Sequence, residues 1–117
     1  MVKLMCFVRR RAGMSAEEFH EHWRDRHGPL VRDNAAVRRY VRRYEQNHRV
    51  GRDYERPAAP DFDGVAVQWF DSFRDFVAMI GDPDFQAVID DEASFLDRSG
   101  TVFVMTDPEI VFVAEGR

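Results

Sequence analysis

The stretch FHEHWRDRHGPLV, Phe19 to Val31, carries three of the chain's four histidines beside a tryptophan. Imidazole serves as a metal ligand, as an acid–base group or as a helix cap, and the spacing decides which. On a helix, residues two apart point about 200° away from each other. His20 and His22 therefore cannot grip one ion, and His20 and His27 are separated by two turns. No metal site is expected. His27 differs from the other two. It flanks the apolar stripe of Phe19 and Trp23, near the C-terminal end of the helix. Burial favours its neutral ring, while the last carbonyls of the helix favour the cation. A histidine pulled both ways titrates near neutrality, as general acid–base work requires. The same ring would serve equally as a cap on those carbonyls, and both readings stand. His48 is the second candidate. On an extended strand it shares a face with Tyr44 and Gln46 and would look into the same pocket as His27. Trp23, Tyr40, Tyr44, Trp69, Phe70 and Phe103 are the aromatic residues able to wall a cavity for a flat apolar ligand.

These residues need elements to position them. VKLMCFV (2–8) reads as a strand. Ser15-Ala-Glu-Glu18 is a capping box that opens a helix, and Gly28-Pro29 is expected to stop it. Residues 37–50 are ambiguous: Val37, Tyr40, Val41 and Tyr44 have helical spacing, yet the run also alternates as a strand. Residues 51–60 read as a surface loop. VAVQWF (65–70) is a strand, and Ser72 caps a helix ended by Gly81-Asp82-Pro83. A further helical piece starts at Asp84 and runs through Phe95 and Leu96. TVFVMT (101–106) and EIVFVAE (109–115) read as strands. With 38–49 as a strand the order is βαββαβ. That is an α+β arrangement, a four-stranded antiparallel sheet with helices on one face. The other face needs cover, which a second copy supplies most simply.

Composition sets the outer bounds. The 117 residues, 44% hydrophobic with ten Phe, suit a single domain over 1–117. No apolar run reaches the length of a membrane span, and the N-terminus lacks a signal pattern. One cysteine, Cys6, fits a reducing, cytoplasmic setting. The net charge is −4, but residues 1–60 hold 14 basic and 8 acidic side chains and residues 61–117 hold 3 and 13. The expectation is that the halves interleave and pair their charges rather than form a nucleic-acid face. Neither a phosphate loop nor a dinucleotide fingerprint occurs.

Four segments resemble the EthD domain: MSAEEFHEHWRDRHGPL (14–30), RRYEQNH (42–48), DGVAVQWFDS (63–72) and DEASFLD (91–97). The resemblance implies a ferredoxin-like fold that pairs into a dimeric α+β barrel, makes 38–49 a strand, and implies a pocket between sheet and helices in each subunit. It matches His27, Trp23, Asn47 and His48 to the family's motif positions. Many EthD-like sequences carry Glu where Gln68 stands, so a family base would be missing here. The wider superfamily includes isomerases, polyketide cyclases and cofactor-free monooxygenases. The expectation is a cytoplasmic homodimer acting without a cofactor on a small apolar, cyclic or polyketide-like metabolite, as isomerase, cyclase, dehydratase or monooxygenase. His27 would move the proton, with His48 beside it. Tyr44, Gln68 and His48 would hydrogen-bond the substrate's oxygens, Asn47 would join them in binding it, and Trp23, Trp69 and Phe70 would shape the wall. The alternative is a non-catalytic ligand-binding accessory of an oxidative degradation pathway.

Overall fold

The computed structural model describes residues 1–58 and 61–116, so the last two residues of the expected 51–60 loop lie outside it. Strand β1 (Val2–Val8) buries every second side chain, Leu4, Cys6 and Val8. Helix α1 (Ala16–His22) opens with the expected capping box. Ser15 Oγ accepts from Glu18 N at 3.0 Å, and the Glu18 carboxylate accepts from Ser15 N at 2.9 Å.

The helix does not stop at Gly28-Pro29. It widens into a π turn over Trp23–His27, with Gly28 N–H donating to Trp23 O, and resumes as α2 (Gly28–Asp33). Pro29 lacks an N–H and its ring crowds the carbonyl four residues back. Seated in the first turn after the wide one, it meets neither cost. Asn34 then caps α3 (Ala35–Tyr40), accepting from Ala36 N and Val37 N. The ambiguous stretch is thus both things in turn: α3, then strand β2 (Val41–His48). A register shift between Val41 and Arg43 marks the switch.

Strand β3 (Gly64–Phe70), α4 (Phe73–Gly81, capped by Ser72), α5 (Gln86–Phe95) and β4 (Val102–Thr106) complete the chain. The four strands form one antiparallel sheet in the order β2-β3-β1-β4. Register aligns Leu4, Gln68 and Tyr44 in one row, and Cys6, Ala66 and Gln46 in the next. These rows face the helices, and the core forms between them and Phe19, Trp23, Val31, Met79, Val88 and Phe95. The opposite face carries Lys3, Met5, Val67, Trp69, Val102 and Val104 by strand alternation. Val102 and Val104 stand about half exposed on it (46% and 45%).

The expected strand over 109–115 joins no sheet, and Ile110, Val111, Phe112 and Val113 are 60–92% exposed. Pro108 holds Asp107 extended and directs the chain away from β4, so no hairpin returns it to the sheet. Charges from the two halves of the chain pair as expected: Arg9–Asp97, Arg10–Asp63, Arg39–Asp82 and Arg42–Asp71.

Candidate active site

A cavity of about 420 Å³ lies between the sheet and helices α4 and α5. That volume suits a small organic ligand. Its walls are largely apolar, and its mouth lies where β4 has no helix over it. There Phe103, Val77 and Ile80 line the cavity and remain 48–59% exposed. Polar groups reach it from three directions: His27 from the π turn, Tyr44 and Gln68 from the sheet, and Glu92 from α5.

His27 is buried (5% exposed), and its Nδ1 lies 2.7 Å from Asp91 Oδ2. The Asp91 carboxylate can only accept, so Nδ1 carries the proton and Nε2 presents its lone pair. Nε2 has no hydrogen-bond partner among the described residues. No side-chain nitrogen or oxygen among them is both fully buried and unpartnered, so Nε2 reaches open space in the cavity wall. Burial lowers the His27 pKa, against the opposing hydrogen bond and charge of Asp91, which keeps the ring neutral at pH 7. Burial tends to raise the Asp91 pKa, but the hydrogen bonds from His27 and His22 outweigh it, and the carboxyl stays ionised below its usual range.

Glu92 follows Asp91 on α5. Burial raises its pKa to about 7, the neighbouring Asp91 charge adds to the rise, and Arg98 opposes it. A neutral imidazole with a free nitrogen and a carboxyl titrating at neutrality therefore share one apolar cavity. That is the pairing of acid and base that proton transfer needs. Tyr44 supplies a donor. Gln46 Nε2 donates to Trp23 O (2.7 Å) and to the Tyr44 hydroxyl (3.0 Å). The phenol oxygen is thereby an acceptor towards Gln46, and its own proton is left for the cavity. Burial pushes its pKa up to about 12, so the proton stays on.

His48 does not line the cavity. Its Nε2 donates to Gln46 Oε1 (2.8 Å), and its Nδ1 meets His20 Nδ1 at 2.7 Å. His20 leads on to Tyr54, and Tyr54 donates to Asp63, which also accepts from Arg10. Burial, the His20 charge and Arg24 lower the His48 pKa to about 4, so it is neutral and fixes the Gln46 amide. Trp23 lines the cavity and is held from below by Gly64, where a Cβ would sit 2.6 Å from the indole and 2.4 Å from Asn47 O.

Three of the expected substrate-binding residues lie elsewhere. Trp69 points from the opposite sheet face, between Lys3 and Arg43 at 4.7 and 4.9 Å from its ring. Asn47 alternates to that same face and donates to Val65 O at 3.0 Å. Phe70 faces the helices but is fully buried against Phe76, off the cavity. Asp91 and Glu92 are the residues that sequence reasoning missed. Their signal was two carboxylates on the helical stripe of Val88 and Phe95, where a solvated helix face has no reason to put them.

A family model described as the EthD domain matches residues 11–99. Among curated proteins, none matches this sequence. Among solved structures, an ethyl tert-butyl ether D (EthD) family protein from Bacillus halodurans C-125 superposes with a TM-score of 0.69 at 18% identity, covering 93% of this chain and 99% of that one. A dimeric ferredoxin-like protein from Thermobifida fusca YX gives 0.63 at 18%, covering 90% and 88%. A hydroxynitrile lyase from Passiflora edulis gives 0.62 at 14%, covering 96% of each. At these identities the likeness is one of fold.

Proposed function

This chain belongs to the EthD domain family, and we propose that its cavity catalyses proton transfer on a small apolar carbonyl compound. The reaction would be an isomerisation, cyclisation or dehydration through an enolate. His27 Nε2 removes the proton next to the carbonyl. The Tyr44 hydroxyl and the Gln68 amide hydrogen-bond the oxygen as its charge develops. Glu92, in its acid form, returns a proton to carbon or to a leaving oxygen. The step is redox-neutral, so it calls for no electron acceptor. The observation that carries this reading is the 2.7 Å contact between His27 Nδ1 and Asp91, which turns the other ring nitrogen into a base at the cavity wall. Glu92 also answers the absence of a carboxylate at Gln68, because α5 brings one in from the opposite wall.

The test is washout of α-deuterium from simple cyclic ketones, followed by NMR. Wild type should accelerate it, and His27→Ala should lower the rate by ~10²–10⁴. Equal rates in both, with the ketone still raising the melting temperature, would support the binding-protein reading instead.

The exposed sheet face supports a second element of the proposal, a homodimer that covers Met5, Trp69, Val102 and Val104. The relatives from Thermobifida fusca and Bacteroides fragilis are described as dimeric. Sedimentation at micromolar concentration should give twice the 13.7 kDa chain mass.

A further inference from the structure

One side-chain amide serves both arms of the proposed chemistry. Gln46 reaches in from β2 and donates through Nε2 to Trp23 O at 2.7 Å and to the Tyr44 hydroxyl at 3.0 Å. The first bond holds the π turn that carries His27. The second makes the phenol oxygen an acceptor and turns its proton to the cavity. Gly28 leaves room for this amide, since a Cβ there would sit 3.3 Å from Gln46 Nε2.

The two ends of an amide have nearly the same shape, so packing alone does not choose between them. Turned over, Gln46 would bring Oε1 against Trp23 O, two acceptors with no proton between them. The Tyr44 hydroxyl would then donate to Oε1, and the cavity would lose that proton. On its far side the amide meets His48, whose Nε2 lies 2.8 Å from Oε1. That nitrogen must carry a proton to hold Oε1, so the lone pair of the neutral ring falls on Nδ1. His20 Nδ1 lies 2.7 Å from it and supplies the donor. His20 in turn meets Tyr54 at 2.9 Å, and Tyr54 donates to Asp63 at 2.6 Å. Asp63 is only 1% exposed and also accepts from Arg10 N and Nη1. The chain thus runs from β2 through α1 to the turn at Gly51–Glu55 and ends on a buried ion pair.

Four contacts link Gln46 to Asp63, while neutral His48, His20 and Tyr54 hold three protons between them. Burial lowers the His20 pKa, with Arg24 and Arg10, against the charge of Asp63, and His48 is lowered too, so no fourth proton enters at pH 7. The open contact is then the longest of the four, between His20 Nε2 and the Tyr54 oxygen. The end at Gln46 keeps its donor.

We infer that His48 and His20 are positioning residues: together they lock the Gln46 amide in the orientation that aims the Tyr44 proton at a bound carbonyl and keeps the π turn tied through Trp23 O. Neither ring lines the cavity, so both act through Gln46.

This inference rests on the proton-transfer reading, and the infrared spectrum of a bound ketone separates the two. The probe is cyclohexanone labelled with carbon-13 at the carbonyl, whose stretching frequency falls when Tyr44 donates to it. His48→Gln places an amide nitrogen where Nε2 stands, and His48→Asn places one at Nδ1 instead. His48→Gln should keep the wild-type frequency and washout rate. His48→Asn should raise the frequency as far as Tyr44→Phe does, and lower the washout kcat by ~10²-fold with little change in KM. In a chain that already bears Tyr44→Phe, it should add nothing to the frequency shift. Nitrogen-15 NMR should find the His48 proton on Nε2 in wild type and divided between both nitrogens in His20→Leu. Several results would overturn the inference: a wild-type His48 proton on Nδ1, an unchanged frequency in His48→Asn, equal losses in the Gln and Asn variants, or a further shift in the double variant. The expected frequencies and tautomer without any washout would uphold the positioning and overturn the proton-transfer reading. A wild type that binds no ketone would overturn both.

Discussion

At the scale of single residues, the cavity works by the contrast between two neighbouring carboxyls. Asp91 is bonded by two imidazoles and stays ionised, while Glu92 has no such partner among the described residues and burial raises it to about 7. For Glu92 the folded pKa lies above the unfolded one. Its contribution to stability is therefore full below about pH 4.5 and is lost as pH rises through 7. Glu92→Gln should stabilise the protein at pH 8 by about 1–3 kcal/mol, and the difference from wild type should vanish at pH 4 in paired urea titrations. In activity, the rising limb belongs to His27 and lies below 6.5, and the falling limb lies near 7 if Glu92 is the acid. The pH–rate profile should then be bell-shaped and should lose its falling limb in Glu92→Gln. Asp91→Asn leaves the packing intact but turns a group that can only accept into an amide that can also donate to Nδ1, so the His27 tautomer is no longer fixed. It should lower kcat by ~10²-fold or more with little change in KM. His27 was legible from its place on an apolar stripe. Its partner was not, because Asp91 lies 64 residues away in sequence and only the packing of α5 against the π turn brings them together.

At the scale of elements, the π turn is what aims His27. A regular helix ending at Gly28 would have carried the ring round to a different side. The wide turn lets the helix run through Pro29 while Trp23 O, released from its usual partner, accepts from both Gly28 N and the Gln46 amide. Capping residues were readable because their signal is local: Ser15, Ser72 and the Asp82-Pro83 break all appear where the sequence puts them. The π turn was not, since it depends on Gln46 arriving from β2. Trp69 was misplaced for a related reason. Alternation fixes which residues share a face but not which face the helices cover, and a tryptophan next to Gln68 must point the other way. Gly64 carries a prediction at this scale. Gly64→Ala would push a methyl into the Trp23 ring and the Asn47 carbonyl. It should cost about 1–3 kcal/mol in chemical denaturation, and it should shift the Trp23 emission.

At the scale of the whole molecule, the two lopsided halves of the sequence become one interleaved surface, as the four cross-paired arginines show. The fold order was legible because strand and helix periods alternate cleanly along most of the chain. The segment 109–115 shows the limit of such reading. It has the pattern of a strand, but alternation cannot supply a strand to pair with, and 109–115 joins no sheet among the described residues. Val104→Lys places an ammonium in the middle of the face assigned to the second copy. That variant should sediment as a monomer while keeping its far-UV circular dichroism, because one charge there opposes association and not the fold.

The chain holds two tryptophans, and the sheet separates them. Trp23 is 2% exposed beside the cavity, and Trp69 is clasped by two cations on the opposite face. Intrinsic fluorescence is therefore a two-channel instrument built into the protein. With Trp69→Phe, the remaining emission reports what enters the hollow, and with Trp23→Phe it reports whether another subunit has arrived.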